Sequence, residues 1–170
     1  MMHDIQLSPH FRLEEFTRSS TARRRGIVNR VSEPYQVANL RQLCRAVLEP
    51  LRALYRRPIV ITSGFRSPAL NRALGGVPES QHLLGEAADL VMPGVDVADL
   101  ARVLAASDLP FDQMILDSRA PVGDRPGARW LHISHRRVTD NRGDVLRLHQ
   151  PAEGPARIQA GLGPLAADTP

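Results

Sequence analysis

The sequence predicts an α+β fold, because its short apolar runs and its helical patterns do not alternate regularly. Runs such as PIVITSGF (residues 58–65) and RWLHIS (residues 129–134) have the length and composition of buried strands. Apolar residues at helical spacing occur between such runs, over the longest stretch from Val37 to Leu54. Strands without regular crossover helices favour an α+β arrangement over a doubly wound parallel sheet.

The N-terminal third is predicted to be helical. Residues 7–26 should form short helical turns, with Ser20 or Thr21 as a cap and Gly26 as the stop. A longer helix should begin near Pro34, and Pro50 should kink or split it. The buried strand of residues 58–65 is expected to follow.

The remaining elements are mostly strands. Ser67 and Pro68 should open a short helix, and Asp96 should cap another over residues 96–107. Further strands are expected at residues 86–92, 110–117, 129–134 and 144–149. Residues 118–128, with two prolines and two glycines, should form a loop.

The length of 170 residues fits one domain with a real core. We expect this domain to cover residues 1–149. Residues 150–170 are rich in Pro, Gly and Ala and should form a flexible tail. Cys44 is the only cysteine, so no internal disulfide can form, and its apolar helical context predicts a buried, inert thiol.

Composition limits the partners. The net charge is +4 and every basic residue is arginine. Arginine suits an acidic polymer such as nucleic acid or an anionic cell envelope, although a compositional bias at solvated positions explains it equally simply. The run Arg23–Arg25 lacks accompanying aromatics, so we do not expect nucleic-acid binding. No stretch approaches the ~20 apolar residues of a membrane span, so no membrane insertion is expected.

The stretch SQHLLGEAAD (residues 80–89) contains the first candidate ligands. Residues seven apart on a straight helix are separated by ~10 Å, so His82 and Asp89 need a bend to share an ion. Gly85 is the best place for one. We therefore interpret the stretch as a loop that runs into a strand, not as a helix.

The strand RWLHIS contains the second imidazole. Its period of two places Trp130, His132 and Ser134 on one face and two core aliphatics on the other. Taken singly, each histidine is more often structural than functional. Together with Asp89, His82 and His132 form a two-imidazole, one-carboxylate set that is typical of open catalytic zinc sites.

These motifs resemble those of zinc D-Ala-D-Ala carboxypeptidases and related peptidoglycan peptidases, including phage endolysins. The resemblance lies in SGFRSPALNRALGGVPESQHLLGEAADL with WLHIS, and extends to the opening LSPHFRLEEFTRSSTARRRGI and to FDQMI, about residues 5–148. It implies a small central antiparallel sheet with flanking helices, the fold shared with the hedgehog signalling domain. It also implies that His82, Asp89 and His132 bind Zn²⁺, with Gly85 as the turn that lets them converge.

The resemblance further implies metal-assisted hydrolysis of a peptide bond. Arg66 would stabilise the oxyanion and contact the substrate, and Ser80 would orient the loop or a ligand. Gln113 and Trp130 would line the same cleft. The substrate would be a peptidoglycan stem peptide, cut either at a terminal D-Ala or at a cross-link.

The general base is where this chain departs from the family pattern. Several relatives place an acid three residues before the last histidine ligand, where this chain has Arg129. In the subgroup with DQxI strands an acid closes that strand, and the matching residue is Asp117. We therefore predict Asp117 as the base, with Asp112 and Asp124 as alternatives. His135 and His149 are predicted to be surface residues without a ligand role.

The leading hypothesis is thus a monomeric zinc peptidase of the bacterial cell wall, with a phage or prophage endolysin as its biological setting. The N-terminus shows no apolar signal-peptide core, so we expect a cytoplasmic protein until its release to the wall. The alternative is a non-catalytic domain that keeps zinc for stability and binds wall peptides, which Arg129 at the usual acid position favours.

Overall fold

The computed structural model describes residues 5–124 and 126–163. Its strands are β1 (Gln6–Ser8), β2 (Phe11–Arg12), β3 (Val60–Ser63), β4 (Ala87–Val91), β5 (Gln113–Arg119), β6 (Ala128–Ser134), β7 (Asp144–Gln150) and β8 (Arg157–Ala160). Its helices are α1 (Leu13–Thr17), α2 (Ser20–Arg25), α3 (Pro34–Leu43), α4 (Glu49–Tyr55), α5 (Pro68–Ala73), α6 (Gln81–Leu84) and α7 (Val97–Ala105). The predicted α+β class is confirmed.

The central sheet has the strand order β3-β4-β6-β5-β7-β8. Every neighbouring pair is antiparallel except β5 and β7, which are parallel. The sheet is thus mainly antiparallel, as expected, with one parallel pair. The connection of residues 135–143 returns the chain past the start of β5, so that Asp144 pairs with Gln113 and both strands run the same way.

The first 26 residues contain more than helical turns. β1 and β2 form a small antiparallel pair before α1, which the sequence did not predict. The cap of α2 is Ser19, whose side chain accepts from the backbone N–H of Ala22, rather than Ser20 or Thr21. Gly26 ends α2 with φ 63°, as predicted, because glycine tolerates the left-handed conformation.

The long helix is interrupted where Pro50 predicted it. α3 begins with Pro34 at its first turn, and a π-helical segment, residues 44–48, separates it from α4. Pro50 has no N–H to donate to the carbonyl four residues earlier, so the ladder must change in the turn before it. Cys44, at the start of that segment, is fully buried, as expected.

The sheet has one core face and one open face. Met114 and Leu116 of β5 and Leu131 and Ile133 of β6 are buried in the hydrophobic core, and α7 packs against these two strands. Because side chains alternate along a strand, the intervening residues of β4, β5 and β6 lie on the opposite face. That face forms the floor of a wide cleft.

The C-terminal segment adds a strand to the sheet. β8 lies within residues 150–170, where the sequence predicted a flexible tail, and pairs with β7 from Leu146–Ala160 to His149–Arg157. Residues 164–170 lie outside the described part of the chain. Within the described residues, no helix is long and apolar enough to cross a bilayer.

Candidate metal centre

His82 lies on a single helical turn, α6, rather than on the predicted loop. Ser80 precedes the turn, and Gly85 ends it with φ 71°. A Cβ at position 85 would lie 2.6 Å from the backbone oxygen of Gln36, so both the dihedral angle and the space require glycine. The predicted bend at Gly85 is confirmed, and it directs the chain into β4.

The orientation of His82 is set from its Nδ1 atom. This atom lies 2.7 Å from the carbonyl oxygen of Gly64, which can only accept, so Nδ1 carries the proton. Nε2 then carries the lone pair, and it is buried without a hydrogen-bond partner. A buried imidazole nitrogen held in this way matches the second-shell arrangement of histidine ligands in metal sites.

Asp89 and His132 are brought beside His82 by strand pairing. They are direct partners in the antiparallel ladder of β4 and β6. His132 Nδ1 lies 2.9 Å from Asp89 Oδ1, and His82 Nε2 lies 3.3 Å from the same oxygen. The candidate ligand atoms of the three residues all lie within 4.8 Å of one another. The structure therefore places all three predicted ligands around one point.

Electrostatics keeps His82 and Asp89 in their metal-binding forms. Burial lowers the pKa of His82, with Arg66 acting in the same direction and Asp89 against it, so the imidazole is neutral at neutral pH. Burial alone would raise the pKa of Asp89, but the neighbouring His82 and His132 outweigh it and hold that pKa well below its usual range. Neutral imidazoles and an ionised carboxylate are the forms that bind divalent metals.

Arg66 contacts the candidate ligands directly. Its Nη2 donates to Asp89 Oδ2 at 2.6 Å, and its Nε donates to the hydroxyl of Ser63 at 3.1 Å. Its backbone N–H donates to the carbonyl of His82. Arg66 thus borders the site as predicted, and it holds the second oxygen of Asp89 so that the first faces the imidazoles.

Asp117 combines a position in the cleft with a buried carboxyl oxygen. It lies on the cleft side of β5, paired with Trp130 of β6, and lines the cleft together with His132. Its Oδ1 is buried without a hydrogen-bond partner. Burial and the Asp89 carboxylate raise the pKa of Asp117 to about 7, against the opposing effects of His132 and Arg119. General acid–base catalysis is most efficient when the pKa of the catalytic group lies near the working pH.

The two alternative bases are placed differently. Asp112 is fully buried; its carboxylate accepts a hydrogen bond from Arg142 Nη2 at 2.7 Å and forms an ion pair with Arg136, whose Nε lies 3.2 Å away. Burial would raise its pKa, but the hydrogen bonds from Arg142 keep it below the usual range. Asp124 is exposed in a turn and does not line the cleft. Asp112 therefore lacks the raised pKa of Asp117, and Asp124 lies away from the cleft.

His135 and His149 contribute no donor to this cluster. His135 was predicted to be exposed, but it is buried, and its Nδ1 lies 2.5 Å from the carbonyl of Pro110. Its backbone N–H donates to the carbonyl of Glu86. His149 is half-buried against the hydroxyl of Ser118.

The three residues of the site form the floor of a cleft of about 1080 Å³. Ser80, Gln113 and Trp130, the predicted substrate-binding residues, all line it. The hydroxyl of Ser80 does not cap α6. The backbone N–H of Gln113 donates to Ser134 Oγ. The cleft is open to solvent.

Several site residues were missed from the sequence. The carbonyl of Gly64 carries no side-chain signal and could not have been found. Gln81 bridges α6 to Asp112 through a 3.1 Å hydrogen bond, a contact between distant segments. Arg119 also lines the cleft. Its position two residues after Asp117 on a strand was a usable signal.

Comparison with known proteins supports the motif-based resemblance. The family described as peptidase M15 matches residues 9–120, a span that includes His82, Asp89 and Asp117 but ends before His132. No curated protein matched the chain. The resemblance to the D-Ala-D-Ala carboxypeptidase-like family is confirmed, and the α+β structure fits the hedgehog/DD-peptidase-like fold. The chain belongs to the peptidase M15 family.

Proposed function

We propose that the protein is a zinc metallopeptidase that hydrolyses peptide bonds in the stem peptides of bacterial peptidoglycan. Membership in the peptidase M15 family supports a peptidase. The geometry of His82 is the observation that supports zinc binding. Its Nδ1 is fixed by the carbonyl of Gly64, and its buried Nε2, which has no hydrogen-bond partner, lies 3.3 Å from Asp89 Oδ1. A buried polar nitrogen without a partner costs stability, and an apolar side chain at this position would avoid that cost if no metal were bound there.

The residues that would hold Zn²⁺ are His82, Asp89 and His132. Two imidazoles and one carboxylate are a known ligand set of catalytic zinc sites, which keep a further position for water or substrate. When bound, zinc lowers the pKa of a water molecule and polarises the scissile carbonyl. The donor set fits this role because both imidazoles face the same carboxylate oxygen.

The protein's own residues supply the remaining parts of the reaction. Asp117 accepts the proton of the attacking water and passes it to the leaving amine, which its pKa of about 7 permits in both directions. Arg66 holds Asp89 in place and contributes a positive charge at the edge of the cleft, where the tetrahedral oxyanion forms. Gln113 and Trp130 lie along the cleft and would position the peptide.

Mass spectrometry of muropeptides after incubation with zinc-loaded protein tests the proposal and identifies the bond that is cut. Loss of one alanine mass from pentapeptide stems indicates carboxypeptidase action, and conversion of cross-linked dimers to monomers indicates endopeptidase action. The Asp117→Asn variant and a chelated sample serve as matched controls. Unchanged muropeptides in the wild-type sample would contradict the proposal.

A second candidate function is a non-catalytic domain that keeps zinc for stability and binds wall peptides. Arg129 stands at the position where several relatives have an acid, and this observation favours it. The two functions differ in one result, because only a peptidase changes the muropeptide masses. Unchanged muropeptides in the experiment above, together with wall-peptide binding measured separately, would support the second candidate.

The biological setting belongs to the proposal as well. Resemblance to phage endolysins suggests a monomeric lysin that is made in the cytoplasm and meets the wall after release. Purified protein added to bacterial cells with permeabilised outer membranes should then reduce their turbidity. Gel filtration with light scattering measures the oligomeric state.

A further inference from the structure

We propose that Arg119 binds a carboxylate group of the substrate and thereby makes the enzyme select peptides that carry a negative charge beside the scissile bond. The inference rests on the proposed peptidase function, and it adds a specificity-determining residue to it. It starts from the charges that line the cleft.

The cleft is lined by six arginines, namely Arg18, Arg23, Arg66, Arg119, Arg136 and Arg142. Three of them already have acidic partners, because Arg66 is paired with Asp89, and Arg136 and Arg142 are paired with Asp112. Arg18 and Arg23 are exposed on the rim. Arg119 differs from both groups, since it is half-buried and forms no ion pair among the described residues.

The side chain of Arg119 is held in the cleft by neutral groups. Its guanidinium lies 5.3 Å from the centre of the Trp130 ring, and its Nε donates to Gln150 Oε1 at 3.4 Å. Stacking on an indole restricts a long side chain without neutralising its charge. The planar guanidinium therefore keeps donors for a forked hydrogen bond to a carboxylate.

The position of Arg119 relative to Asp117 limits where that carboxylate lies in the substrate. The two residues are on the same face of β5 and two positions apart, which corresponds to about 6–7 Å along the strand. An extended peptide covers this distance with about two residues. A peptide whose scissile carbonyl lies beside Asp117 can thus place a carboxylate on Arg119 from within two residues of the cut.

A stem peptide offers two sources of such a group, the C-terminal carboxylate and the carboxylate of an acidic residue next to the bond. Both present the same chemistry to a guanidinium. A purely structural role of the Arg119–Trp130 contact, in contrast, would make binding insensitive to the charge of the ligand. The experiment must therefore vary the charge of the ligand and the residue together.

Trp130 is the only tryptophan of the chain and lies under Arg119, so its fluorescence reports ligand binding without catalysis. Chelated, metal-free protein is titrated with the pentapeptide L-Ala-γ-D-Glu-L-Lys-D-Ala-D-Ala, with its C-terminal amide, and with the form in which the D-Glu carboxylate is amidated. The wild type, Arg119→Gln, Arg119→Lys and the control Arg129→Gln are compared. Arg129 is exposed and does not line the cleft, so its variant removes one positive charge elsewhere.

We expect one of the two amidations to weaken binding to the wild type and to Arg129→Gln by about 10- to 100-fold, the usual effect of a lost hydrogen bond to a charged group. That amidation identifies the recognised carboxylate. Arg119→Gln should bind the parent peptide as weakly as the wild type binds that amide, and Arg119→Lys should recover part of the affinity.

The proposal would be overturned if the wild type bound all three peptides equally, or if it bound none of them. It would also be overturned if amidation weakened binding to Arg119→Gln as much as binding to the wild type. The outcome is independent of hydrolysis. Charge-dependent binding through Arg119 with intact muropeptides would contradict the peptidase function and leave the role of Arg119 standing.

Discussion

His82 donates from Nδ1 to the carbonyl oxygen of Gly64 over 2.7 Å, and this bond turns Nε2 towards Asp89. The contact joins the turn after β3 to the single helical turn α6. Both segments are too short to fix a side chain alone, so the backbone carbonyl acts as the second-shell partner of the candidate ligand.

The first prediction concerns Gly64. A Cβ at this position would lie 2.6 Å from the backbone of Phe16, so Gly64→Ala must move either α1 or the carbonyl that orients His82. We expect a loss of about 1–3 kcal/mol in the free energy of unfolding and a zinc affinity about 10- to 100-fold weaker. Urea unfolding and competition with a fluorescent chelator measure these quantities. Gly163→Ala, where the nearest atom is 3.9 Å away, is the control and should change neither.

The second prediction concerns Asp117 as the base. Asp117→Asn cannot accept a proton, so kcat of the zinc-loaded enzyme on a cell-wall peptide should fall by about 10²- to 10⁴-fold. The zinc content should remain that of the wild type, because Asp117 does not belong to the three-residue cluster. Asp124→Asn, in an exposed turn, should keep full activity. An Asp117→Asn enzyme with wild-type kcat would rule out this assignment.

The third prediction concerns the pH dependence of stability in the metal-free protein. The pKa of Asp117 is raised from 3.8 to about 7 on folding. Between these values the folded protein retains a proton that the unfolded chain releases, so the stability contributed by this group falls as the pH rises. Asp117→Asn removes that loss and should exceed the wild type by about 2 kcal/mol above neutral pH, less than the full shift implies because the group is partly exposed.

At low pH, where both states hold the proton, the advantage of Asp117→Asn should disappear. Urea unfolding of the two chelated proteins at acidic and mildly alkaline pH measures the difference. A stability difference that does not change with pH would contradict the raised pKa.

The fourth prediction separates Asp112 from the catalytic role. Its buried carboxylate holds Arg136 and Arg142, so Asp112→Asn removes the acid paired with Arg136 and one of the two acids paired with Arg142, and should cost about 3–5 kcal/mol of stability. Asp99→Asn breaks only an exposed pair with Arg102 and should cost less than about 1 kcal/mol. Thermal unfolding compares them. An Asp112→Asn protein of normal stability but without activity would instead support Asp112 as the base.

The parts of this site that sequence could predict are those with a local period or a motif. The alternation in RWLHIS placed Trp130 and His132 on one face, and the glycine between His82 and Asp89 indicated the bend. The ladder pairing of Asp89 with His132 follows from these two predictions once the strands are neighbours.

The parts that could not be predicted depend on long-range or backbone contacts. Asp112 and Arg142 are thirty residues apart and meet only because the chain passes the start of β5 before β7. β8 could not be predicted, because the surrounding Pro, Gly and Ala are typical of a flexible tail. Its apolar residue Ile158 is exposed and adds nothing to the buried core. Nothing in the composition of β7 indicates that it pairs in parallel with β5.

The central claim is that His82, Asp89 and His132 bind one divalent cation. Anomalous diffraction from zinc-soaked crystals, recorded on both sides of the zinc absorption edge, tests it most directly. We predict one strong peak about 2 Å from His82 Nε2, from a carboxylate oxygen of Asp89 and from a ring nitrogen of His132. A difference map without a peak among these three side chains, at a zinc concentration that saturates the protein in solution, would contradict it.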